Sequence, residues 1–306
     1  MKLFGTVSRN IYPVGQGGFS SEIHHDCDGK INFVAVYDCG VAMTGTNSSK
    51  NFNQKTLVDE FLVDSNNTKI PIDILFISHF DQDHVSLIKA LIKDRAVKRV
   101  IVPLMRKWKK KIIALCAEGW DTQLLTNPKD FFNLHALNSD TIITEVSALT
   151  DNEYNSEIDN AAADAIQIPS GNSISSNTNW HYIPFNIEPE RSDCFEEKCK
   201  ESDIEIDKLT EDDLCVKAKQ LKKIYQELSG GINQNSLLLY SAPDYSNKTV
   251  ETLQCPGTFC CGGCCKKLAC DASAGCLYTG DYDYSHMEKL KVFFVSKNLI
   301  GNIGTL

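Results

Sequence analysis

Four side chains of metal-ligating type fall within six residues of this sequence. His79, Asp81, Asp83 and His84 follow the apolar run 72–77, which has the length and composition of a buried strand. An extended chain directs residues i and i+2 to the same side, so His79 and Asp81 can face a common point. Asp83 and His84 lie where the strand turns toward a helix and can face a second point. This arrangement of imidazole and carboxylate groups predicts a centre for one or two divalent metal ions.

A simpler interpretation of the same residues is a strand end followed by a solvated acidic turn. That interpretation accounts for any one of these residues taken singly. It does not account for four ligand-type side chains at the end of one buried strand, which favours the metal centre.

The elements that would position these residues are strands first and then alternating strands and helices. Predicted strands cover 5–13, 19–25, 31–37, 72–77, 97–104, 141–146, 180–186, 236–241 and 276–279. Predicted helices cover 54–63, 85–93, 106–118, 128–137, a segment ending near 228, and 285–292. This order predicts an α/β fold with two sheets between helices and with the ligands at the carboxyl ends of strands.

Several motifs in a fixed order resemble those of a known family. The segment 78–84, Ser-His-x-Asp-x-Asp-His after a strand, resembles the first metal motif of the metallo-β-lactamase fold, with Asp81 in place of the second histidine. Segments similar to other motifs of that family lie at 12–17, 36–40, 235–239 and 278–281. The aspartate variant and the Asn-Ser strand together resemble the branch that includes the soluble hydrolase domain of DNA-uptake competence proteins.

The resemblance implies an αββα four-layer sandwich that holds two divalent metals, zinc first, with manganese or iron as alternatives. Five residues would ligate the two metals: His79 and Asp81 the first, Asp83 and His84 the second, and Asp281 between them. Asp38 would support the metal loop. The family's chemistry is hydrolysis by a metal-bound hydroxide, which would make Asp83 and Asp281 the catalytic residues.

The sequence departs from the family pattern in three places. Ser86 and Leu87 stand where the family has glycines. His135 and His181 do not supply the family's middle histidine and are interpreted as structural. The sequence ends at Leu306, in what is predicted as the start of the strand that carries the family's final histidine. We therefore expect a second metal site that is short of one imidazole, through truncation or through genuine loss of that ligand.

A cysteine-rich insert at 251–271 is a second place where metal could bind. Its pattern, C-x4-CC-x2-CC-x4-C, predicts a structural zinc, and a cysteine-rich surface loop without metal is the alternative. The six cysteines are Cys255, Cys260, Cys261, Cys264, Cys265 and Cys270.

The basic run 106–111 contains a tryptophan and five cations. Arg106, Lys107 and Lys109 are candidates for contact with a phosphate backbone beside the metals. The alternative is a solvated face of a helix.

Composition constrains the class of protein only loosely. The net charge of −9 is concentrated in 187–215, where 12 acidic and 4 basic residues give −8, so the overall charge does not exclude a nucleic-acid substrate. No apolar run reaches the length of a membrane span. The 13 unevenly spaced cysteines and the absence of an apolar leader predict a reduced, cytoplasmic protein.

Together these features predict one domain over 1–306, with a first half at 1–150 and a second half at 179–306. A polar loop at 152–178 would separate the halves. The second half would contain two inserts, the acidic one at 187–215 and the cysteine-rich one at 251–271. The predicted function is metal-dependent hydrolysis of a phosphodiester, in a nucleotide or in nucleic acid. The alternative is a catalytically impaired metal-binding or interaction module, which could contact a protein partner through the acidic or the cysteine-rich insert.

Overall fold

The computed structural model describes most of the chain. The described residues are 6–42, 58–63, 68–117, 119–137, 140–148, 165–187, 191–227, 236–243, 275–281, 287–296 and 303–305. Within them, the protein is a mixed α/β structure with two sheets. None of its described helices combines the length and the apolarity that crossing a bilayer requires.

The first sheet has seven described strands in sequential order. They are β1 Thr6–Ile11, β2 Phe19–His25, β3 Ile31–Cys39, β4 Ile72–Phe76, β5 Val97–Pro103, β6 Ile142–Ser147 and β7 Ile166–Pro169. Pairing is antiparallel from β1 to β3 and parallel from β3 to β7. The carboxyl ends of the parallel strands therefore share one edge, where ligand groups can collect.

The second sheet has five described strands in the order β12-β11-β10-β9-β8. They are β8 Ile174–Ser175, β9 Trp180–Phe185, β10 Leu238–Pro243, β11 Gly275–Tyr278 and β12 Ile303–Thr305. All pairs are antiparallel except β11 with β12. Because β10 and β11 are antiparallel, β10 begins beside the point where β11 ends.

The described α-helices lie mainly between β4 and β6 and between β9 and β10. They are α1 Gln82–Val85, α2 Ile88–Ile92, α3 Lys107–Cys116, α4 Gln123–Thr126, α5 Pro128–His135, α6 Arg191–Glu201, α7 Glu211–Glu227 and α8 Met287–Ser296. A 3₁₀ turn, Ile206–Lys208, lies between α6 and α7.

Both faces of the central strands β3, β4 and β5 are largely buried, which explains their nearly continuous apolar sequences. On β4, Leu75 packs into a core shared with the helices, where it joins Ile88 and Phe132. Phe76 points the other way, into a core between the two sheets that includes Tyr182 and Leu239. Two smaller cores bury α8 against the second sheet and α3 against α6 and α7.

Most predicted strands are confirmed to within a few residues, and the helix predicted at 85–93 is confirmed over Ile88–Ile92 but not as one continuous helix. The chain forms two short helices instead, and the first begins at Gln82. The break has a local cause: the Ser86 hydroxyl bonds both backbone groups of Val41, and the Leu87 amide donates to the Cys39 carbonyl at 3.0 Å. These bonds tie the turn to the end of β3.

The polar loop predicted at 152–178 is wrong over its described part, since β7 and β8 lie in it. β7 is mostly exposed and only four residues long, so its alternation of Ile166, Gln167 and Ile168 is too short to mark a strand in the sequence. Its pairing with β6 is what makes it a strand. The segment predicted as an acidic insert is helical, and it packs on α3 through Phe195, Ile204 and Leu214. The cysteine-rich insert and the start of the helix predicted at 54–63 lie outside the described residues.

A buried polar network around Glu22 joins the two sheets. Glu22 lies on β2 and is 2% exposed. Arg9 donates to its Oε1 at 2.6 Å, the Tyr278 hydroxyl donates to Oε1 at 3.0 Å, and the Ser241 hydroxyl donates to Oε2 at 2.6 Å. Tyr278 ends β11, so this network fixes the strand that leads to Asp281.

Replacement of Glu22 by alanine should lower the free energy of unfolding by about 3 kcal/mol or more, because Arg9 and two hydroxyls lose a buried acceptor. Urea denaturation measures the change. Glu22→Gln retains an oxygen acceptor and should lose less. Equal stability of Glu22→Ala and the wild type would contradict this account of the interface.

Candidate metal centre

The candidate centre lies where strands from both sheets end or begin. Asp38 lies at the end of β3, His79 follows β4, and Asp281 follows β11. Ser236 lies just before β10. The Leu237 amide donates to the Ser78 carbonyl at 2.7 Å, so the two sheets are joined directly beside the centre.

His84 is held from one side by a buried carboxylate. Its Nδ1 donates to Asp38 Oδ2 at 2.9 Å, and Asp38 is fully buried. Its Nε2 lies 3.3 Å from Asp281 Oδ1 and 3.9 Å from Asp83 Oδ2. A metal-ligating histidine usually donates the proton of one ring nitrogen to a carboxylate and directs the other nitrogen at the metal. His84 has this arrangement, with its Nε2 directed at a cluster of acceptors.

His79 presents an unpaired nitrogen to the same cluster. The Ser78 hydroxyl donates to Asp38 Oδ2 at 2.7 Å, so its oxygen is left to accept from His79 Nδ1 at 2.9 Å. The lone pair of His79 then lies on Nε2, which is buried and makes no hydrogen bond among the described residues. That lone pair faces Asp81 Oδ2 at 3.5 Å and Asp281 Oδ2 at 3.9 Å. Acceptors that face one another are stabilised by a proton or a metal ion between them.

The structure brings together all five residues that the sequence pattern singles out as ligands. Their atoms form two overlapping groups, each with ligand atoms within 4.8 Å of one another. One group is His79, Asp81 and Asp83, and the other is His79, His84 and Asp281. This grouping differs from the predicted one, since Asp83 lies with His79 and Asp81. Nitrogen and carboxylate donors in this number fit zinc or manganese.

The electrostatics of the metal-free centre favour a charged His84. Burial alone lowers the pKa of His84, but its contacts with Asp281 and Asp38 outweigh that effect and raise the pKa to about 10. The contact with His84 also holds the pKa of Asp281 below its ordinary value. A proton on His84 Nε2 thus occupies the position that a metal would take.

Three glycines allow the chain to pass closely behind the ligand loop. A Cβ on Gly18 would lie 2.8 Å from His84 Nδ1, and a Cβ on Gly40 would lie 2.4 Å from the His84 carbonyl carbon. The Gly18 amide donates to the Asp83 carbonyl at 2.9 Å, and a Cβ on Gly17 would lie 2.5 Å from that oxygen. The sequence marked 12–17 only as a segment similar to a motif of the family. The signal that could have revealed this packing is the cluster of glycines, because residues without a Cβ allow two backbone segments to lie in close contact.

Ser78 and Ser236 are the other supporting residues that sequence reasoning did not single out. Ser236 Oγ accepts from the Asp281 amide at 2.7 Å and lies 3.3 Å from His79 Nδ1. Ser78 connects His79 to Asp38. Each serine stands within a motif that the sequence already marked, but the contacts between them depend on the meeting of the two sheets.

The basic run does not form the predicted phosphate-binding strip. Lys109 is 1% exposed, so it cannot reach a substrate in solvent, and that prediction is wrong. The alternative of a fully solvated helix face is wrong for the same residue. Arg106 pairs with Glu196, and Lys107 is exposed.

The other sequence-predicted residues stand apart from the cluster. His135 lies on α5 near Asp121, and His181 on β9 contacts the Ser173 hydroxyl at 2.5 Å. Among the described residues, no further histidine joins the five ligands. The six cysteines of the insert fall outside the described residues, so their zinc stays a prediction.

The chain matches no protein-family model and no curated protein. The resemblance to the metallo-β-lactamase fold therefore stays a prediction from the motif residues.

Replacement of Asp38 by asparagine should lower metal affinity about 10–100-fold. An amide nitrogen facing His84 Nδ1 would force the ring proton onto Nε2 and remove the lone pair from the centre. Competition with a chromophoric chelator measures the affinity. Asp73→Asn is the matched control, because Asp73 also accepts a backbone amide, from Val34, but lies away from the ligands. Equal affinities in both variants would contradict the role of Asp38.

Metal affinity should rise with pH, by about tenfold per unit at most, up to about pH 10. The sign follows from competition: His84 holds its proton below its raised pKa, and a metal must displace that proton. Metal titrations between pH 6.5 and 8.5 test this. Calorimetry in two buffers of different ionisation enthalpy should also detect the released proton.

His84→Gln should bind metal more weakly and with a shallower dependence on pH. His181→Gln, which alters a histidine outside the centre, should keep the wild-type slope. A wild-type affinity that does not change with pH would contradict the proposed competition.

Proposed function

We propose that this protein is a metal-dependent hydrolase of the metallo-β-lactamase type. The observation that carries the proposal is the convergence of two buried imidazoles and two carboxylates of the segment 79–84 with Asp281 from the other sheet, with an unpaired nitrogen on His79. A solvated acidic turn would not bury two histidines or aim their Nε2 atoms at one point. The donor set fits two divalent ions, zinc first, with manganese or iron as alternatives.

The arrangement of the cores supports the finer αββα fold within this proposal. Side chains of the two sheets share one core, helices pack on the outer face of the first sheet, and Phe294 of α8 packs on Phe185 of the second. Helix, sheet, sheet and helix in this order would make a four-layer sandwich. The motifs at the strand ends occur in the order that the family resemblance implies.

Bound divalent ions would supply Lewis acidity, which activates water and polarises the scissile group of the substrate. The protein's own residues fix where this happens. Asp38 and Ser78 orient the two imidazoles, and the glycines behind the loop leave no room for the ligand backbone to move. Asp281 has one oxygen facing each histidine, as a carboxylate shared by two ions would.

Exposure of the carboxylates gives the centre an open side. The Asp281 side chain is 56% exposed and that of Asp81 is 49% exposed, whereas His79 and His84 are almost fully buried. A substrate would therefore approach over Asp81 and Asp281, with the histidines behind. Asp83, which is 18% exposed, lies at the boundary.

We propose a phosphodiester, in a nucleotide or a nucleic acid, as the substrate. The resemblance to the competence-protein branch supports this choice. Esters, thioesters and lactams are alternatives that the same centre could hydrolyse.

A second candidate function is a metal-binding or interaction module without turnover. It is favoured by the ligand count, since each of the two overlapping groups has three ligands and both use His79. Metal content separates the two candidates: about two equivalents per chain support the hydrolase, and one or none support the module.

Hydrolysis of bis(p-nitrophenyl) phosphate with Zn²⁺ or Mn²⁺ tests the proposed function. Asp83→Ala should lower kcat/KM by about 100-fold or more, because one ligand of the centre is lost. Asp28→Asn, in an exposed turn, is the control and should keep wild-type activity. Equal rates in the wild type and in Asp83→Ala would contradict the assignment.

A further inference from the structure

Helix α7, which begins in the last part of the acidic segment 187–215, packs against α3. The final turns of α7 contribute Leu221, Ile224 and Tyr225 to a core with Ile112 and Cys116 of α3. This contact fixes the carboxyl end of α7 beside the carboxyl end of α3. The two helices therefore form one unit at this point.

The same end of α3 leads directly to the ligand loop. Gly119 follows α3 by three residues, and its backbone lies against the Gln82 side chain, where a Cβ would be 2.0 Å from Nε2. Trp120 stacks on Phe80 with ring centroids 6.1 Å apart. Phe80 and Gln82 flank Asp81, so α3 and the last turns of α7 lie on the side of the centre where Asp81 is exposed.

Tyr225 lies close enough to Asp81 for the charge of that carboxylate to act on its phenol. Burial and the charge of Asp81 together raise the pKa of Tyr225, so its phenol stays protonated and can donate a hydrogen bond at working pH. Among the described residues, this hydroxyl has no hydrogen-bond partner. A half-buried donor without a partner is available to a ligand.

Charge on α7 is divided along its length. Glu211, Asp212 and Asp213 lie in the first turn, whereas four lysines and no acidic residue lie in 217–223. Lys222 is one turn before Tyr225, and its charge reaches Cys116, so it lies on the side that faces α3. Lys222 and Lys223 thus bring positive charge to this end of α7, where Glu227 closes the helix 3.9 Å from Lys223. The helix as a whole has four acidic and four basic residues.

We propose that the last turns of α7 form one wall of the substrate site, where Tyr225 and Lys222 contact the phosphoryl oxygens of a phosphodiester. This inference rests on the proposed function. A phenol donor and an ammonium group beside a carboxylate-rich metal centre suit an anionic substrate that the carboxylates alone would repel. Tyr225 and Lys222 would make the phosphate contacts that the sequence pattern assigned to the basic run 106–111.

Kinetics on bis(p-nitrophenyl) phosphate with Mn²⁺ test the proposed contacts. Tyr225→Phe and Lys222→Ala should each raise KM about tenfold, with kcat changed less, because a substrate contact is lost while the metals remain. Tyr12→Phe and Lys30→Ala are matched controls on β1–β3 and should keep the wild-type KM. Metal content should be the same in all five proteins.

A spectroscopic measurement tests the position of Tyr225 without turnover. In protein labelled with 3-fluorotyrosine, the ¹⁹F resonance that Tyr225→Phe removes should broaden when Mn²⁺ binds and stay sharp with Zn²⁺. A sharp resonance in protein shown to hold Mn²⁺ would overturn the inference.

The two proposals fail in different ways. Wild-type hydrolysis with an unchanged KM in both variants would overturn the substrate wall and leave the proposed function standing. A wild-type protein without hydrolysis would overturn both.

Discussion

The carboxylate of Asp38 is the interaction on which the centre depends. It is fully buried, lies in left-handed backbone with a φ of 57°, and accepts from the Ser78 amide, the Ser78 hydroxyl and His84 Nδ1. A buried charge is stable only when it is fully hydrogen-bonded, so the positions of these donors are fixed together. Through Ser78, the same carboxylate also sets the ring proton of His79. Both imidazoles are thereby oriented by one group that would not itself touch a metal.

The rest of the local architecture keeps this group in place. Gly18 and Gly40 let the chain pass within contact distance of the His84 backbone, and Ser86 ties the turn after α1 to the end of β3. From the second sheet, Ser236 connects the Asp281 amide to His79. The centre is therefore assembled by contacts between strand ends, and either sheet alone would hold an incomplete set of ligands.

Function in this protein would arise from the contrast between a rigid buried side and an open acidic side. The histidines are enclosed, while Asp81 and Asp281 are about half exposed. An anionic substrate would meet repulsion from those carboxylates unless cations offset it. Metals within the centre and Lys222 near the end of α7 would both supply positive charge, which makes the placement of α7 as important to the proposed chemistry as the ligands.

The sequence determined the parts of this structure that depend on local pattern. The apolar runs at 31–37, 72–77 and 97–104 predicted strands because burial on both faces leaves a continuous apolar signal, and the clustered ligands predicted where a site would lie. Asp281 entered the predicted site only through the family resemblance. The tertiary structure alone brought it beside residues about 200 positions earlier, formed β7 in a segment predicted as a loop, and buried Lys109. These outcomes depend on long-range pairing and packing, whose free energies are not encoded in any short window of residues.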